Sequence, residues 1–260
     1  MKRSLTELSL ADFPAELRDI IGRSVVYDSS CSPEARVYFL DTGRGYYLKR
    51  APKGSLKKEF LMDGYFHGLG LGARVESYIS TDADYLLTER VPGEDCTHGE
   101  YLADGRRLAG LMGNLLRELH GLPHGDCPIQ DRTADYLATV DEGYRIGRFD
   151  PSFLRHGVGV SADEVYKFIN DRRHLFATDT LLHGDFCLPN VMLDGWRLSG
   201  YIDLGCGGVG DRHVDIFWGA WTLKFNLGTD EFADTFFDAY GRGRFDPEMI
   251  ALISAAEAFG

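Results

Sequence analysis

The sequence predicts an α+β fold in which a strand-rich segment is followed by a mainly helical one. Residues 1–91 read mostly as strands separated by turns, whereas much of residues 92–260 carries apolar side chains at helical spacing. Residues 91–95, Val-Pro-Gly-Glu-Asp, interrupt both patterns and are the best candidate for a linker. We therefore predict two lobes, a strand-rich one over residues 1–91 and a helical one over residues 92–260.

Composition narrows the class of protein further. The chain has 260 residues, enough to bury a core without disulfides, and its 40 acidic and 28 basic side chains give a formal charge of −12. This balance argues against a nucleic-acid partner and fits a cationic one. No apolar run reaches the roughly 18 residues of a membrane span, and the five cysteines are scattered without a Cys-x-x-Cys pair. We expect a protein of the reducing cytoplasm that does not associate with membranes.

The first lobe is predicted to contain two strand pairs and one helix. Residues 37–50, VYFLDTGRGYYLKR, predict a hairpin, because the turn residues 42–45 separate two runs rich in Val, Tyr and Phe. Residues 57–67 read as a short helix. Residues 74–91, RVESYISTDADYLLTERV, predict a second strand pair turned at residues 81–84.

The second lobe is predicted to be helical, with one small hairpin inserted. Apolar residues at helical spacing predict helices over residues 101–120, 132–144, 162–172, 214–225, 230–240 and 247–259. Ser161 and Glu164 form a capping-box pattern at the start of the third of these. Two short apolar strands, residues 191–193 and 198–202, flank the turn Asp194-Gly195 and predict the hairpin.

The densest polar cluster of the chain lies around this hairpin, in LLHGDFCLPNVMLDGWRLSGYIDLG, residues 181–205. Asn190 and Asp203 stand at the open end of its two strands, so the fold should bring them close. Two facing oxygen ligands suit Mg²⁺, which usually takes one or two carboxylates together with phosphate oxygens. Asp185, a third acidic or amide side chain nearby, could orient or deprotonate a hydroxyl nucleophile.

These residues carry a family resemblance. His-Gly-Asp-x-x-x-x-Asn, beginning at His183, and the following Ile-Asp-x-Gly resemble the catalytic and metal-binding loops of aminoglycoside phosphotransferases, which are relatives of the protein kinases. The resemblance implies a two-lobed, protein-kinase-like fold. It also implies that Asp185 is the catalytic residue, that His183 buttresses its loop, and that Asn190 and Asp203 bind Mg²⁺.

The same resemblance assigns nucleotide-binding residues in the first lobe. Lys49 on a strand would contact the α- and β-phosphates of ATP, or of GTP as an alternative, and Tyr47 would stack on the base. Glu59, in the helix that follows, would be the ion-pair partner of Lys49. Ser32 matches the nucleotide-positioning loop. The hinge, residues 86–93, would bind the base through the C=O of Glu89 and the N–H of Val91.

In the second lobe, the resemblance implies that Asp215 anchors the catalytic loop by accepting its backbone N–H groups. Glu257, in the final Ala-Glu-Ala-Phe, matches a C-terminal carboxylate that binds amines of the substrate. The acceptor positions also depart from the family. Residues other than the family's usual charged ones stand at four of them, namely Cys206, Phe225, Asn226 and Ala256.

The sequence therefore predicts an enzyme that transfers the γ-phosphoryl group of ATP or GTP to a hydroxyl group of a cationic aminoglycoside, at the 3′-position, and so confers resistance. Three alternatives stay open. The first is a small-molecule kinase for another hydroxylated metabolite. The second is a catalytically impaired kinase-fold binding module. The third, a nicotinamide-dependent oxidoreductase, rests only on the Gly-x-Gly-x-x-Gly pattern of residues 205–210.

Overall fold

The computed structural model describes residues 3–31, 35–154 and 158–260. The chain divides into two compact units: a first unit of Met1–Asp95 with Pro189–Gly205, and a second unit of Cys96–Leu188 with Cys206–Gly260. Over the described ranges, every helix is too short or too polar to span a bilayer.

A six-stranded antiparallel sheet forms most of the first unit. Its strands are β1 (Ser4–Leu5), β2 (Val25–Asp28), β3 (Arg36–Asp41), β4 (Tyr46–Pro52), β5 (Val75–Ser80) and β6 (Ala83–Glu89), in the order β1-β2-β3-β4-β6-β5. Side chains alternate between the two faces of such a sheet. On one face Leu40, Leu48 and Leu87 pack against helix α1 (Ala15–Gly22) to form a core.

Helix α2 (Lys57–Gly68) packs on the opposite face of the sheet. There Ala51, Leu56 and Leu86 are buried together, and Phe60 of α2 stacks on Tyr78 of β5 with ring centroids 4.7 Å apart. Tyr47 and Lys49 occupy alternate positions of β4 and therefore project from this same face as Ala51. The helix is thus placed where its polar side chains can reach Lys49.

The first unit also takes in the predicted hairpin from later in the chain. Strands β9 (Val191–Asp194) and β10 (Arg197–Tyr201) pair antiparallel, and β9 also pairs with β7 (Glu94–Asp95). The N–H of Tyr201 donates to the C=O of Leu71 over 2.7 Å. The structure therefore differs from the single boundary predicted at residue 91, because residues 94–95 form a strand that ties the hairpin to the first unit.

The second unit is mainly helical, as predicted. Its helices are α3 (Gly99–Leu102), α4 (Gly105–Leu119), α5 (Arg132–Arg145), α6 (Ala162–Asn170), α7 (His213–Leu227), α8 (Ala233–Tyr240) and α9 (Pro247–Glu257). A two-stranded antiparallel ladder, β8 (Thr180–Leu182) with β11 (Gly208–Gly210), frames the loop that carries Asp185. A buried cluster from α5, α6 and α9, centred on Ile169 and Phe259, forms one of its cores.

Helix boundaries in this unit follow local capping chemistry. The capping box predicted at α6 is present, with Ser161 and Glu164 each bonding the other's backbone. The prediction of one continuous helix over residues 101–120 is wrong. Asp104 adopts a non-helical conformation, and its side chain accepts from the N–H of Arg107, so α4 begins as a separate helix after α3. Such a cap stabilises a helix by about 1 kcal/mol.

Candidate active site

Three charged side chains meet on the α2 face of the first unit. The Nζ of Lys49 lies 2.7 Å from Oδ1 of Asp203 and also donates to Oε1 of Glu59. The predicted Lys49–Glu59 ion pair is therefore present, and Asp203 joins it from the end of the hairpin. Glu59 is buried, Lys49 is one-fifth exposed, and the side chain of Asp203 is half exposed.

Electrostatics keep this lysine charged. Burial by itself lowers the pKa of Lys49, but the carboxylates of Glu59 and Asp203 outweigh burial, so the pKa is raised above its ordinary value. A buried carboxyl that sequence reasoning missed, Asp63, lies one helical turn after Glu59. Burial, with the nearby charge of Glu59 adding to it, raises the pKa of Asp63 well above its usual range.

The hairpin presents Asn190 and Asp203 at one end. The strand register pairs Val191 with Tyr201, and the N–H of Ile202 donates to the C=O of Asn190 over 3.1 Å, so Asn190 and Asp203 flank the last paired residues. Asp203 has a φ of 61°, a left-handed conformation uncommon for a residue other than glycine. One amide and one carboxylate on a fixed turn fit a Mg²⁺ ion that takes its other ligands from phosphate and water.

The predicted base-binding residues also lie in the first unit. Tyr47 packs against Phe39 of β3, with ring centroids 5.2 Å apart. Glu89 ends β6 and pairs with Tyr46 of β4, so the predicted hinge leads out beside the strand that carries Tyr47. Val91, two residues on, is buried. Ser32 lies outside the described residues.

Arg3 is a residue that sequence reasoning missed. Its guanidinium lies 3.8 Å from the ring centroid of Phe39, and it donates to the hydroxyl of Tyr47 over 2.6 Å. Both aromatic rings belong to the sheet face that carries Lys49. An arginine forty-four positions from its partner leaves no periodic signal in the sequence.

In the second unit, the loop that carries Asp185 is held by buried groups. The two carboxylate oxygens of Asp215 accept from the N–H groups of His183 and Gly184, each over 2.8 Å. This is the anchoring that the family resemblance implied for Asp215. A Cβ on Gly184 would lie 1.8 Å from the carbonyl oxygen of Cys206, so only glycine fits there.

Histidine side chains complete the support of this loop. The ring of His183 is buried, and its Nδ1 accepts from the N–H of Asp185 over 3.3 Å, consistent with a buttressing role. His120, which sequence reasoning missed, is 3.2 Å from Asp215 through Nε2 and 2.9 Å from the hydroxyl of Tyr240 through Nδ1. Burial lowers the pKa of His120, so a neutral ring bridges these groups.

Glu257 lies in the same unit, at the end of α9. Its Oε1 accepts from the hydroxyl of Tyr136 over 2.8 Å and from Nε1 of Trp218 over 3.2 Å. Burial raises the pKa of Glu257 to about 7, with the charge of Asp185 adding to the effect and the two hydrogen bonds opposing it. The carboxyl therefore titrates in the neutral pH range. Arg132 completes the surroundings and donates through Nε to the C=O of Cys206.

Two other sequence features have structural explanations. Cys187 is buried, and burial together with nearby Asp185 raises the pKa of its thiol, which makes it a poor nucleophile. Gly208, Val209 and Gly210 of the Gly-x-Gly-x-x-Gly pattern form β11, which pairs with β8, and the N–H of Val209 donates to the C=O of Ile129. A strand with its backbone so engaged is not a loop that cradles a dinucleotide.

Together these features define a class of protein. A strand lysine paired with a helix glutamate, a turn that presents amide and carboxylate oxygens, and an anchored aspartate loop are the parts of a phosphoryl-transfer enzyme related to the kinases. The match to the model of the phosphotransferase enzyme family spans residues 33–253.

Individual relatives agree. The probable aminoglycoside 3′-phosphotransferase of Lactococcus lactis subsp. lactis strain IL1403 is 43% identical over 254 residues, which cover 97% of each chain. A crystal structure of a type VIII aminoglycoside-3′-phosphotransferase is 26% identical, with a TM-score of 0.75 over 94% of this chain and 97% of that one. An aminoglycoside phosphotransferase from Streptomyces rimosus, solved with ADP and streptomycin, shares the fold with a TM-score of 0.77 at 20% identity, over 97% of this chain and 99% of that one.

The chain therefore belongs to the phosphotransferase enzyme family. The predicted α+β, protein-kinase-like fold is confirmed. So is the prediction of an enzyme that transfers a phosphoryl group to an alcohol acceptor.

Proposed function

We propose that this enzyme transfers the γ-phosphoryl group of ATP, with GTP as an alternative donor, to the 3′-hydroxyl of an aminoglycoside. The observation that carries the proposal is the Lys49–Glu59–Asp203 group, because a charged lysine beside a metal-binding carboxylate is a ready clamp for a polyphosphate. The aminoglycoside acceptor is supported by the 43% identical relative and its name.

Residues of the first unit bind the nucleotide in this proposal, so Met1–Asp95 with Pro189–Gly205 is its nucleotide-binding lobe. Lys49 contacts the phosphates and is held in place by Glu59, while Tyr47 stacks on the base and the backbone of Glu89 and Val91 bonds its edge. Asn190 and Asp203 would hold Mg²⁺, which neutralises charge on the phosphates when bound. The Streptomyces rimosus relative was solved with ADP, which supports a nucleotide donor.

Residues of the second unit handle the acceptor. Asp185 accepts the hydrogen bond of the acceptor hydroxyl and takes its proton as the hydroxyl oxygen attacks the γ-phosphorus in line with the departing ADP oxygen. Asp215, through His183 and Gly184, fixes the loop that aims Asp185. Glu257 binds an ammonium group of the acceptor.

The surroundings of the chain are part of the proposal. We place the enzyme in the cytoplasm, where nucleoside triphosphates are available. Its five cysteines are all free thiols, which suits a reducing compartment.

A second acceptor class has one observation in its favour. The positions occupied by Phe225, Asn226 and Ala256 carry no carboxylate, although a polycation is best held by several. This favours a hydroxylated acceptor with fewer ammonium groups. The net charge of −12 then attracts cations to the protein in general and does not select a particular one.

Mass spectrometry of kanamycin and neomycin incubated with the protein, Mg²⁺ and either ATP or GTP tests the proposal. We expect both compounds to gain one phosphoryl group, located at the 3′-oxygen by fragmentation. Tobramycin, which lacks a 3′-hydroxyl, should stay unmodified. If no aminoglycoside is modified while nucleotide is consumed with another hydroxylated compound, the acceptor assignment is wrong.

A further inference from the structure

One face of α7 holds the Asp185 loop, residues 183–188, at both ends. Asp215 and Thr222 are seven positions apart on this helix and so lie two turns apart on the same face. Asp215 accepts from the N–H groups at the start of the loop, and the Thr222 hydroxyl accepts from the N–H of Leu188, at its end, over 3.2 Å. The helix therefore fixes the path of the loop on either side of Asp185.

Asn226, one turn further along the same face, determines which way the Thr222 hydroxyl donates. Its Nδ2 lies 2.8 Å from the carbonyl oxygen of Thr222 and 3.2 Å from Thr222 Oγ1. Since a carbonyl oxygen can only accept, the side-chain atom of Asn226 that faces it must be the amide nitrogen, which therefore also donates to Oγ1. Together with the N–H of Leu188, two donors occupy the two lone pairs of Oγ1. The hydroxyl hydrogen is left to donate elsewhere.

The thiol of Cys187 links this hydroxyl to Asp185. Cys187 is buried, and its side chain hydrogen-bonds both the Thr222 hydroxyl and the Asp185 carboxylate. Burial and the charge of Asp185 raise the pKa of the thiol, so the sulfur keeps its hydrogen at neutral pH. Because a carboxylate oxygen can only accept, the S–H group donates to Asp185 and the sulfur accepts from Thr222.

We propose that Cys187 is a positioning residue for phosphoryl transfer, whose S–H group holds one carboxylate oxygen of Asp185 and leaves the other to accept the substrate hydroxyl. Each member of a series donates to the next, and we call this series the donor chain: Asn226, Thr222, Cys187 and Asp185. The inference rests on the proposed function, in which Asp185 takes the proton of that hydroxyl. A carboxylate held at one oxygen presents the other in a fixed direction, which an in-line attack requires.

The surroundings of Cys187 exclude two more familiar roles of a cysteine. A nucleophilic or redox-sensing cysteine needs an accessible thiolate, whereas Cys187 is 8% exposed and stays protonated. Cys127 is a second buried thiol of the same unit, and it donates to the backbone C=O of Ile129 over 3.4 Å. It therefore serves as a matched reference for a buried thiol outside the Asp185 loop.

Steady-state kinetics with kanamycin and ATP test the role of the thiol. We expect Cys187→Ala to lower kcat roughly threefold to tenfold, the effect of losing one hydrogen bond, while the KM for ATP stays unchanged. Cys187→Ser keeps a donor at this position and should restore most of kcat. Cys127→Ala should leave kcat unchanged. If the Ala and Ser variants of Cys187 lose kcat equally, the thiol only fills space and the proposal is wrong.

The preceding link of the donor chain is tested at Thr222. Thr222→Val keeps the shape of the side chain but removes the hydroxyl, so we expect kcat to fall roughly twofold to fivefold, and Thr222→Ser should behave like the wild type. Melting temperatures verify that the variants are folded. In the double variant of Cys187→Ala and Thr222→Val, kcat should fall by less than the product of the two single effects. A fall equal to that product would show that the two residues act independently and would overturn the donor chain.

Infrared spectroscopy measures the S–H bond without turnover. The S–H stretching band lies where water and the rest of a protein absorb little, and its frequency is lower when the thiol donates a hydrogen bond. The band of Cys187 is the one that disappears in Cys187→Ala. We expect it to move to higher frequency in Asp185→Ala, because the thiol loses its charged partner, and to stay in place in Asp126→Ala, at an exposed aspartate of the same unit.

The outcomes separate this proposal from the proposed function. If the wild type phosphorylates kanamycin and Cys187→Ala keeps its kcat, the positioning role is wrong and the proposed function stands. If the wild type phosphorylates no aminoglycoside, the proposed acceptor is wrong, and the infrared band decides the donor chain. A Cys187 band that Asp185→Ala leaves in place overturns the chain, and one that it moves supports it.

Discussion

The two units of this phosphotransferase surround their key charged side chains in different ways. In the first unit, Lys49 is paired with two carboxylates and its pKa is raised. In the second unit, Glu257 is bonded to neutral donors, the hydroxyl of Tyr136 and the indole of Trp218, and its pKa is raised to about 7. The first arrangement keeps a charge constant, whereas the second leaves a charge that varies with pH.

The difference suits the two substrates. The phosphates of a nucleotide carry several negative charges throughout the neutral range, so a permanently charged lysine is an appropriate partner. The amines of an aminosugar titrate near neutrality, and a carboxyl that titrates there as well can bind and release them. Five predictions test this difference, and they are given in decreasing order of expected effect.

Loss of the proposed catalytic carboxylate should have the largest effect. We expect Asp185→Ala to lower kcat by about 10²- to 10⁴-fold, since the acceptor hydroxyl loses the group that orients it and takes its proton. Binding of nucleotide, measured by titration with ATP and Mg²⁺, should change little. Asp126→Ala, at an exposed aspartate of the same unit, is the control. Turnover of Asp185→Ala at the wild-type rate would contradict the proposed mechanism.

Substitutions in the Lys49–Glu59–Asp203 group should have the next largest effect. We expect Lys49→Met to raise the KM for ATP and lower kcat, each by roughly tenfold or more, because the phosphates lose a charged hydrogen-bond donor. Glu59→Gln should have a smaller effect, since Asp203 still holds the lysine. The KM for the acceptor should be unchanged in both. If only the KM for the acceptor changed, the assignment of nucleotide binding to the first unit and of acceptor binding to the second would be wrong.

The pH dependence of acceptor binding probes the second unit. Because Glu257 is neutral below its pKa of about 7 and charged above it, the KM for a cationic acceptor should fall as the pH rises through 7. Glu257→Gln should abolish that component. Tyr136→Phe should move the midpoint upward, since the hydroxyl of Tyr136 lowers the pKa. A midpoint that stays in place in Tyr136→Phe would contradict the role of this hydrogen bond.

The same raised pKa makes a prediction about stability. Folding favours the protonated carboxyl of Glu257, so its contribution to stability is complete below the ordinary pKa and is lost as the pH rises through about 7. Urea unfolding at pH 5 and pH 8 should therefore show a smaller difference in Glu257→Gln than in the wild type.

The smallest effect is expected at the end of the first unit's sheet. Arg3→Ala removes the donor that bonds the hydroxyl of Tyr47 and the cation that covers Phe39. We expect the KM for ATP to rise by roughly twofold to threefold with kcat unchanged, in line with an exposed cation–π contact. An equal change in Arg23→Ala, at an exposed arginine directly after α1, would show the effect to be one of net charge.

The sequence predicted contacts best where the interacting residues lie close together in the chain or follow a known pattern. The hairpin between Asn190 and Asp203 was predictable because its two short apolar strands and its Asp-Gly turn are local signals. The pair Lys49 and Glu59 spans ten residues, and Asp215 was placed by a motif. The roles of these residues in binding remain predictions.

The contacts that sequence reasoning missed join distant residues. Arg3 and Tyr47 are 44 positions apart, His120 and Asp215 are 95 apart, and Tyr136 and Glu257 are 121 apart. Helical or strand periodicity carries no information over such distances. The domain boundary was displaced for the same reason, since the pairing of residues 94–95 with β9 joins segments that the chain order separates.

The sequence by itself determined the chemical inventory of this protein: the residue types, their local spacing, and hence the fold class and the phosphotransferase family. Only the tertiary structure decided which charged and hydrogen-bonding groups lie next to one another. Glu59 and Glu257 are both glutamates on helices, yet one faces a lysine and the other a phenol and an indole. A pKa depends on burial and on the partner brought near by folding, and neither is written in the local pattern.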